Sequence, residues 1–257
     1  MSVILEARGL AKRFGERPAI EDVSFELHAG EVLAVVGESG SGKTTLLNCV
    51  SGRLRPDAGT VRFMTRHEGL KELYADLSEA ERRFLARTDW GYVHQRPEEG
   101  LRMNVSAGAN VGERLMALGE RHYGRIRTAA TDWLSRVEMD PERIDDSPRT
   151  FSGGMRQRLQ IARNLVTDPR LVFMDEPTSG LDVSVQARLL DLLRSLTRAL
   201  GLAAIVVTHD LAVARLLAQR MLVMKGGRIV EQGLTDQVLD DPQHPYTQLL
   251  VSSVLQP

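Results

Sequence analysis

The chain has 257 residues, which is enough for one large domain or for two interlocked subdomains with a substantial core. Its 33 basic and 34 acidic side chains give a formal net charge of -1, so the overall balance does not point to a nucleic-acid partner. Apolar runs such as residues 202–207 fall far short of the ~20 residues that a membrane span requires, and the N-terminus lacks the pattern of a secretory signal. We therefore expect a cytoplasmic protein without direct membrane insertion.

The first 30 residues have the pattern of β-strands. Apolar and polar residues alternate strictly over residues 23–27, and a turn at Gly30 follows. We interpret residues 3–27 as an antiparallel strand layer. Phe14 lies in a predicted loop of this layer, where its ring is compatible either with stacking on a base or with ordinary packing.

The segment from residue 37 to residue 45 fits the phosphate-loop pattern G-x-x-x-x-G-K-[ST]. It lies between an unbroken apolar run at residues 32–36, typical of a buried strand, and a predicted helix that opens near residue 45. The glycines let successive backbone N–H groups point at an anion, while Lys43 can reach the outer phosphates and Thr44 can bind Mg2+. The pattern predicts a site for a nucleoside triphosphate. Its residues are Gly37, Glu38, Ser39, Gly40, Ser41, Gly42, Lys43, Thr44 and Thr45.

The next part of the chain changes from strand to helix. Residues 90–93 predict a strand that carries Gln95 at its end, where a side chain can face a ligand at the edge of a parallel sheet. Residues 96–148 have helical character, with an apolar face at positions 126, 130, 133, 134 and 137. We interpret this segment as an inserted helical subdomain.

A second glycine-rich helix start follows at Ser152, Gly153 and Gly154. Ser152 is the predicted N-cap of a helix that leads through residues 156–166. The backbone N–H groups at such a helix start can meet phosphate oxygens. Taken alone the pattern is weak, because serine and glycine also form ordinary turns before helices.

Asp175 and Glu176 follow the apolar run at residues 171–174. In phosphate-loop enzymes this position holds a carboxylate for Mg2+, and a second carboxylate can polarise a water molecule for in-line attack. A pair of carboxylates at a strand end is otherwise commonly a helix cap. A turn that contains Asp182 then leads into a predicted helix over residues 183–200.

His209 lies just after the strand predicted at residues 202–207. A lone histidine is usually structural, yet at a strand end it can donate a hydrogen bond to a terminal phosphate.

Residues 221–231 predict a hairpin with a primed turn at Gly226-Gly227. Residues 234–257 predict a C-terminal tail of two short helices.

In the order and the spacing of these motifs, the chain resembles the ATP-binding-cassette (ABC) ATPases over almost its whole length. The resemblance implies one α/β domain over residues 1–257, with the P-loop NTPase core and an antiparallel β layer in residues 1–95 and 149–257. The helical subdomain would then be residues 96–148. It also implies hydrolysis of ATP to ADP and phosphate with Mg2+, in an ATP-dependent homodimer that holds each ATP between the phosphate loop of one copy and Ser152-Gly153-Gly154 of the other.

The resemblance also implies a role for each site residue. Phe14 would stack on adenine, and Asp182 would lie at the dimer interface. Glu176 would be the catalytic base, with Gln95 and His209 as further catalytic residues. The implied Mg2+ ligands are Thr44, Gln95 and Asp175. Two positions depart from the common pattern, since Met155 replaces a glutamine and Phe151 a leucine, and both bear on how tightly the Ser152 helix holds nucleotide.

A narrower resemblance is to the ATP-binding proteins of bacterial phosphonate carbon-phosphorus lyase systems, which implies soluble lyase core subunits as partners. The segments that carry it are residues 90–95, 100–102, 105–108, 112–117, 122–124 and 249–256. Residues 244–247 also resemble the ATPases of peptide importers, so an ATPase subunit of a peptide- or nickel-type importer is the alternative. A DNA-repair or translation ATPase is less favoured, because the chain is nearly neutral and has no long coiled-coil insertion.

Overall fold

A computed structural model of the chain describes residues 2–66 and 69–254. The chain forms two compact units, of which the first comprises residues 1–83 and 196–257 and the second comprises residues 84–195. Residues 1, 67–68 and 255–257 lie outside the described part, and so does the end of the predicted tail and of the 249–256 segment. The predicted division into a core and a helical subdomain at residues 96–148 stays a prediction.

The strands of the described residues are β1 (Val3–Phe14), β2 (Arg17–His28), β3 (Val32–Val36), β4 (Ala58–Met64), β5 (Leu70–Glu72), β6 (Trp90–Val93), β7 (Leu171–Asp175), β8 (Ala203–Thr208), β9 (Arg220–Lys225) and β10 (Arg228–Leu234). The α-helices are α1 (Lys43–Val50), α2 (Glu79–Thr88), α3 (Pro97–Gly100), α4 (Ala107–Ala117), α5 (Tyr123–Arg136), α6 (Gly153–Leu165), α7 (Val183–Leu200), α8 (Leu211–Leu217), α9 (Thr235–Asp240) and α10 (Pro245–Val254). Over residues 2–66 and 69–254, no helix combines the length and the apolar character that crossing a membrane requires.

An antiparallel sheet in the first unit has the strand order β2-β1-β4-β5. Its inward positions are fully buried, as at Leu5, Leu10 and Leu27, because side chains of a strand alternate between its two faces. The predicted antiparallel layer is therefore confirmed. Phe14 is the last residue of β1 and pairs with Arg17 of β2. The prediction that Phe14 lies in a loop was therefore wrong.

A mainly parallel group of strands in the same unit surrounds β3. This strand is buried along its whole length and pairs in parallel with β8 on one side and β9 on the other. Val36 of β3 is in register with Thr208 of β8. The phosphate loop after β3 and His209 after β8 therefore leave neighbouring strands at the same edge.

The C-terminal part of the first unit agrees with the prediction. β9 and β10 form an antiparallel hairpin whose turn residues, Gly226 and Gly227, have φ angles of 55° and 83°. Positive φ at both central positions is what a type I′ turn requires, so the primed turn is confirmed. The two predicted tail helices are α9 and α10.

In the second unit, β6 and β7 are parallel neighbours, and Val93 is in register with Met174. The segment predicted as helical forms α3, α4 and α5, followed by two 3-10 turns at Pro141–Asp145 and Pro148–Thr150. The apolar face predicted for α5 is buried at Ala130, Trp133 and Leu134.

Candidate functional site

The phosphate loop begins directly after β3 and ends in α1. Gly37 has a φ of 149°, and a Cβ atom there would lie 2.2 Å from the carbonyl oxygen of Met224. Gly42 has a φ of 104°, and a Cβ atom there would lie 2.3 Å from the carbonyl oxygen of Ala19. Because no side chain fits at either position, the loop backbone can lie directly against β2 and β9.

The side chains of the loop suit a polyphosphate. Lys43 is only 7% exposed, and its Nζ donates to the carbonyl oxygens of Gly37 at 2.7 Å and Glu38 at 2.9 Å, which holds the ammonium group across the loop. The Oγ of Ser41 is buried and has no hydrogen-bond partner among the described residues. A buried ammonium, an unpaired hydroxyl donor and the N-terminal amides of α1 together favour an anion with several oxygens.

Two further predicted site residues lie in the same unit. His209 is exposed directly after β8, on the strand next to the one that carries the loop. Phe14 is 56% exposed at the end of β1. An exposed aromatic face suits stacking on a planar base.

In the second unit, the structure brings Gln95 and the acidic pair to one edge. Because Val93 and Met174 are in register, Gln95, which follows β6, and Asp175, the last residue of β7, lie at the same end of neighbouring strands. The Nε2 of Gln95 donates to the Oγ of Ser179 at 3.2 Å, in the turn that follows Glu176. Asp175 is 8% exposed.

The backbone of Glu176 is in the left-handed region, with a φ of 46°. Residues other than glycine enter this region at a cost of about 1–2 kcal/mol, so the surrounding structure must hold it. The carbonyl oxygen of Glu176 accepts from the backbone N–H of Ser179 at 3.0 Å, and that of Pro177 accepts from Nε2 of Gln157 at 2.8 Å. These bonds fix the turn that presents the Glu176 side chain, which is partly exposed.

The predicted N-cap at Ser152 is confirmed, since its Oγ accepts from the backbone N–H of Met155 at 3.3 Å. The helix begins at Gly153, directly after this N-cap, and ends at Leu165. A Cβ atom on Gly154 would lie 2.5 Å from Cγ1 of Val185, so this glycine lets α6 approach α7 closely. Ser152 and Gly153 are exposed, which makes the amides at the start of α6 accessible to a ligand.

Asp182 caps α7 in this structure. Its Oδ1 accepts from the backbone N–H of Val185 at 3.0 Å and from the Oγ of Ser184 at 2.8 Å. These bonds, the one from the Val185 amide first, hold the pKa of Asp182 below its ordinary value. The role of Asp182 at a dimer interface stays a prediction.

The two departures from the family pattern are both contacted by Arg143, which the sequence did not single out. Phe151 is 3% exposed, and the guanidinium carbon of Arg143 lies 4.6 Å from its ring centroid. Nη1 of Arg143 lies 3.5 Å from Sδ of Met155, and its Nε donates to Asp146 at 2.7 Å. The larger ring and the thioether therefore pack around one ion-paired arginine.

Buried side-chain amides on α6 form a ladder that sequence reasoning missed. Asn164 accepts from the backbone N–H of Tyr92 at 2.9 Å and donates to its carbonyl oxygen at 3.0 Å. Gln160 does the same with His94, at 2.7 Å and 3.2 Å. Two side chains of α6 thus pair with backbone at and just beyond β6 as a neighbouring strand would.

Gln157 continues this ladder of amides toward the turn that follows Asp175 and Glu176. Its Oε1 accepts from Nε2 of Gln160 at 3.0 Å, and its own Nε2 donates to the carbonyl oxygen of Pro177. The spacing of three and four residues places these amides on one helical face. The sequence offered one signal, which is that Gln157, Gln160 and Asn164 occupy positions on the buried face of α6, where apolar residues are expected.

Replacing Gln160 with methionine is expected to lower the free energy of unfolding by about 2–4 kcal/mol, because both backbone groups of His94 lose a buried partner. Urea unfolding followed by tryptophan fluorescence measures the change. The matched control is Gln237→Met on the exposed face of α9, for which we expect less than about 0.5 kcal/mol. Equal effects of the two substitutions would contradict a stabilising ladder.

The chain matches known families and proteins along most of its length. The family model described as ABC transporter matches residues 20–179, and that described as oligopeptide/dipeptide transporter, C-terminal region, matches residues 230–257. The chain is 64% identical over 253 residues to the phosphonates utilization ATP-binding protein PhnK of Escherichia coli (strain K12), with 98% of each chain covered. It is 38% identical over 258 residues to a peptide import ATP-binding protein of Brucella ovis, covering 99% of this chain and 79% of that one.

Solved structures show the same fold. The dimeric post-hydrolysis state of the ATP-binding cassette MJ0796, bound to ADP and Pi, matches with a TM-score of 0.79 and 28% identity, over 90% of this chain and 99% of that one. The structure of cbiO1 from Clostridium perfringens, part of the ABC transporter complex cbiONQ, matches with a TM-score of 0.79 and 27% identity, over 94% and 92%. The chain therefore belongs to the ATP-binding cassettes of the ABC transporter family, as an α/β protein that binds ATP and hydrolyses it to ADP and phosphate.

Proposed function

We propose that this chain is the ATPase subunit of a phosphonate carbon-phosphorus lyase system, and that it works in the cytoplasm by docking on soluble lyase core subunits. The supporting observation is the 64% identity to PhnK along 98% of both chains, against 38% for the peptide import protein. The proposal includes neither a nucleic-acid partner nor direct membrane insertion. The alternative is the ATPase subunit of a peptide- or nickel-type importer, which the match of the C-terminal region at residues 230–257 favours.

The proposed assembly is a homodimer that forms around ATP. In it, the phosphate loop of one copy and residues Ser152, Gly153 and Gly154 of the other hold each nucleotide. The exposed start of α6 supports this, because a helix N-terminus carries partial positive charge and unpaired amides. The solved cassettes with similar folds are described as dimeric. Asp182, at the exposed start of α7, is proposed to lie at this interface.

Each proposed site residue has a role in ATP binding or hydrolysis that its functional group can perform. Lys43 neutralises the outer phosphates, Phe14 stacks on adenine, and His209 donates to the terminal phosphate. Glu176 takes the proton from the attacking water, which is worth on the order of 10^2 to 10^4 in rate for a single base. Bound Mg2+ supplies further neutralisation of phosphate charge. Its proposed ligands are Thr44, Gln95 and Asp175.

These ligands suit Mg2+ by atom type. The ion prefers oxygen atoms and commonly takes one or two protein carboxylates together with substrate phosphates and water. Asp175 provides the carboxylate and Thr44 a hydroxyl in an exposed position. Gln95 donates through its amide nitrogen to Ser179, and its carbonyl oxygen is the atom that would serve as a ligand.

Purification of the tagged full-length chain from an extract of its own cells, with and without Mg-ATP, tests the proposed partner. We expect soluble lyase subunits to co-purify, identified by mass spectrometry and compared with an untagged strain. Recovery of integral membrane subunits without a soluble enzyme partner would overturn the proposal and support the importer. Loss of the gene should also abolish growth on a phosphonate as the only phosphorus source.

A further inference from the structure

The C-terminal helix α10 reaches the phosphate loop through a single tyrosine. The hydroxyl oxygen of Tyr246 accepts a hydrogen bond from the backbone N–H of Glu38 at 3.0 Å. The two residues are 208 positions apart in the chain and belong to the same compact unit. Tyr246 is 4% exposed, and burial raises the pKa of its hydroxyl, so the group is neutral at physiological pH.

The bond acts on the one peptide group that also holds Lys43. The N–H of Glu38 and the carbonyl of Gly37 belong to the same peptide, and in a trans peptide they point in opposite directions. That carbonyl accepts from Nζ of Lys43 at 2.7 Å. The Gly37-Glu38 peptide is therefore held by Tyr246 on one side and binds the ammonium group on the other.

This peptide needs an external partner because it follows a glycine. Gly37 has a φ of 149°, a region open mainly to glycine, and glycine allows more backbone rotation than any other residue. A rotation of the peptide would move the carbonyl that holds the Lys43 ammonium. The Tyr246 hydroxyl opposes that rotation by fixing the N–H.

Tyr246 is itself held firmly. Nζ of Lys225 lies 4.6 Å from its ring centroid, a cation–π contact. The carboxylate of Glu231 on β10 accepts from the backbone N–H groups of Gln243 at 2.8 Å and His244 at 3.0 Å. Nδ1 of His244 accepts from the N–H of Tyr246 at 3.1 Å. The start of α10 is thus attached to the hairpin that borders the loop.

We propose that Tyr246 is a positioning residue for ATP capture, which orients the Gly37-Glu38 peptide and, through it, the ammonium group of Lys43. The inference rests on the proposed role of Lys43 at the outer phosphates. Tyr246 acts on the shape of the loop and touches no reacting atom. It therefore changes the affinity for ATP more than the rate of cleavage.

The variant Tyr246→Phe keeps the ring and removes only the hydroxyl. We expect the Kd for ATP and the KM to rise about 3- to 10-fold, the effect of one lost hydrogen bond, with kcat within about 2-fold of the parent. Binding is measured with a fluorescent ATP analogue and with calorimetry on the full-length chain. An unchanged Kd and KM would overturn the inference.

Tyr74→Phe is the matched control. The Tyr74 hydroxyl shares its one hydrogen between the carbonyl oxygens of Cys49 at 2.7 Å and Leu54 at 2.8 Å, in the same unit but outside the loop. Losing these bonds is expected to lower the melting temperature at least as much as Tyr246→Phe does, and to leave the Kd for ATP within about 2-fold. If both variants raised the Kd in proportion to their loss of stability, Tyr246 would be merely structural.

A double-mutant cycle with Lys43→Ala separates this inference from the site it rests on. If Tyr246 acts through Lys43, then Tyr246→Phe in the Lys43→Ala background should change the Kd by less than about 1.5-fold. Independent, multiplying effects would overturn the coupling and leave the role of Lys43 intact. A Kd that Lys43→Ala alone leaves unchanged would overturn the proposed role of Lys43 and the inference with it.

Discussion

Replacing Glu176 with glutamine is expected to lower the rate of ATP hydrolysis by a factor on the order of 10^2 to 10^4 and to leave ATP binding largely intact. Glutamine has the same length and shape, but it cannot accept the proton of an attacking water. The side chain is partly exposed directly after β7, where the strained turn presents it. Because closure of the proposed dimer requires ATP and not its cleavage, this variant should accumulate as an ATP-bound dimer.

Phosphate release measures the loss of turnover, and size-exclusion chromatography with Mg-ATP measures the dimer. Glu138→Gln is a matched control, because Glu138 is also a glutamate with a positive φ, 56°, and it pairs with Arg158 at 2.7 Å. It is not among the proposed site residues, so we expect hydrolysis within about 2-fold of the parent. Near-normal hydrolysis by Glu176→Gln would refute the assigned base.

Lys43→Ala is expected to weaken ATP binding by about 10- to 100-fold, since hydrogen bonds between charged groups contribute roughly 1.5–3 kcal/mol. The substitution removes the only cation within the loop and also the bonds from Nζ to the carbonyl oxygens of Gly37 and Glu38. The loop therefore loses both its attraction for phosphate and part of its internal support.

Titration calorimetry with ATP measures this loss, and a melting curve shows whether the variant is folded. Lys71→Ala, which removes the same charge from β5 outside the loop, is the control and should bind ATP within about 2-fold of the parent. Unchanged affinity in a folded Lys43→Ala protein would count against the proposed site.

Local patterns predicted much of the fold correctly, because the forces behind them act between neighbours in the chain. The unbroken apolar run at β3 is buried throughout. The N-cap predicted at Ser152 accepts from the backbone N–H of Met155 at 3.3 Å, at the start of α6. Helix α7 has the predicted bounds, since an acidic N-cap and a following glycine mark its ends.

Other features could not be predicted, because their partners are far apart in the sequence. The carboxamide of Asn164 forms hydrogen bonds with the backbone of Tyr92, which is 72 residues away in the chain. The sequence around an asparagine or glutamine on a helix does not indicate which distant group it will bind. Arg143 was missed for the same reason, as its contacts to Phe151 and Met155 depend on how a 3-10 turn packs on α6.

The sequence by itself determined the phosphate loop, the strand ends that carry Gln95, Glu176 and His209, and the resemblance to a family, since each follows from residue type and spacing. The tertiary structure alone decided which groups hold these residues in place. The hydroxyl of Tyr246 on the Glu38 amide shows why, because a hydrogen bond needs two groups within about 3 Å and only the folded chain brings them there.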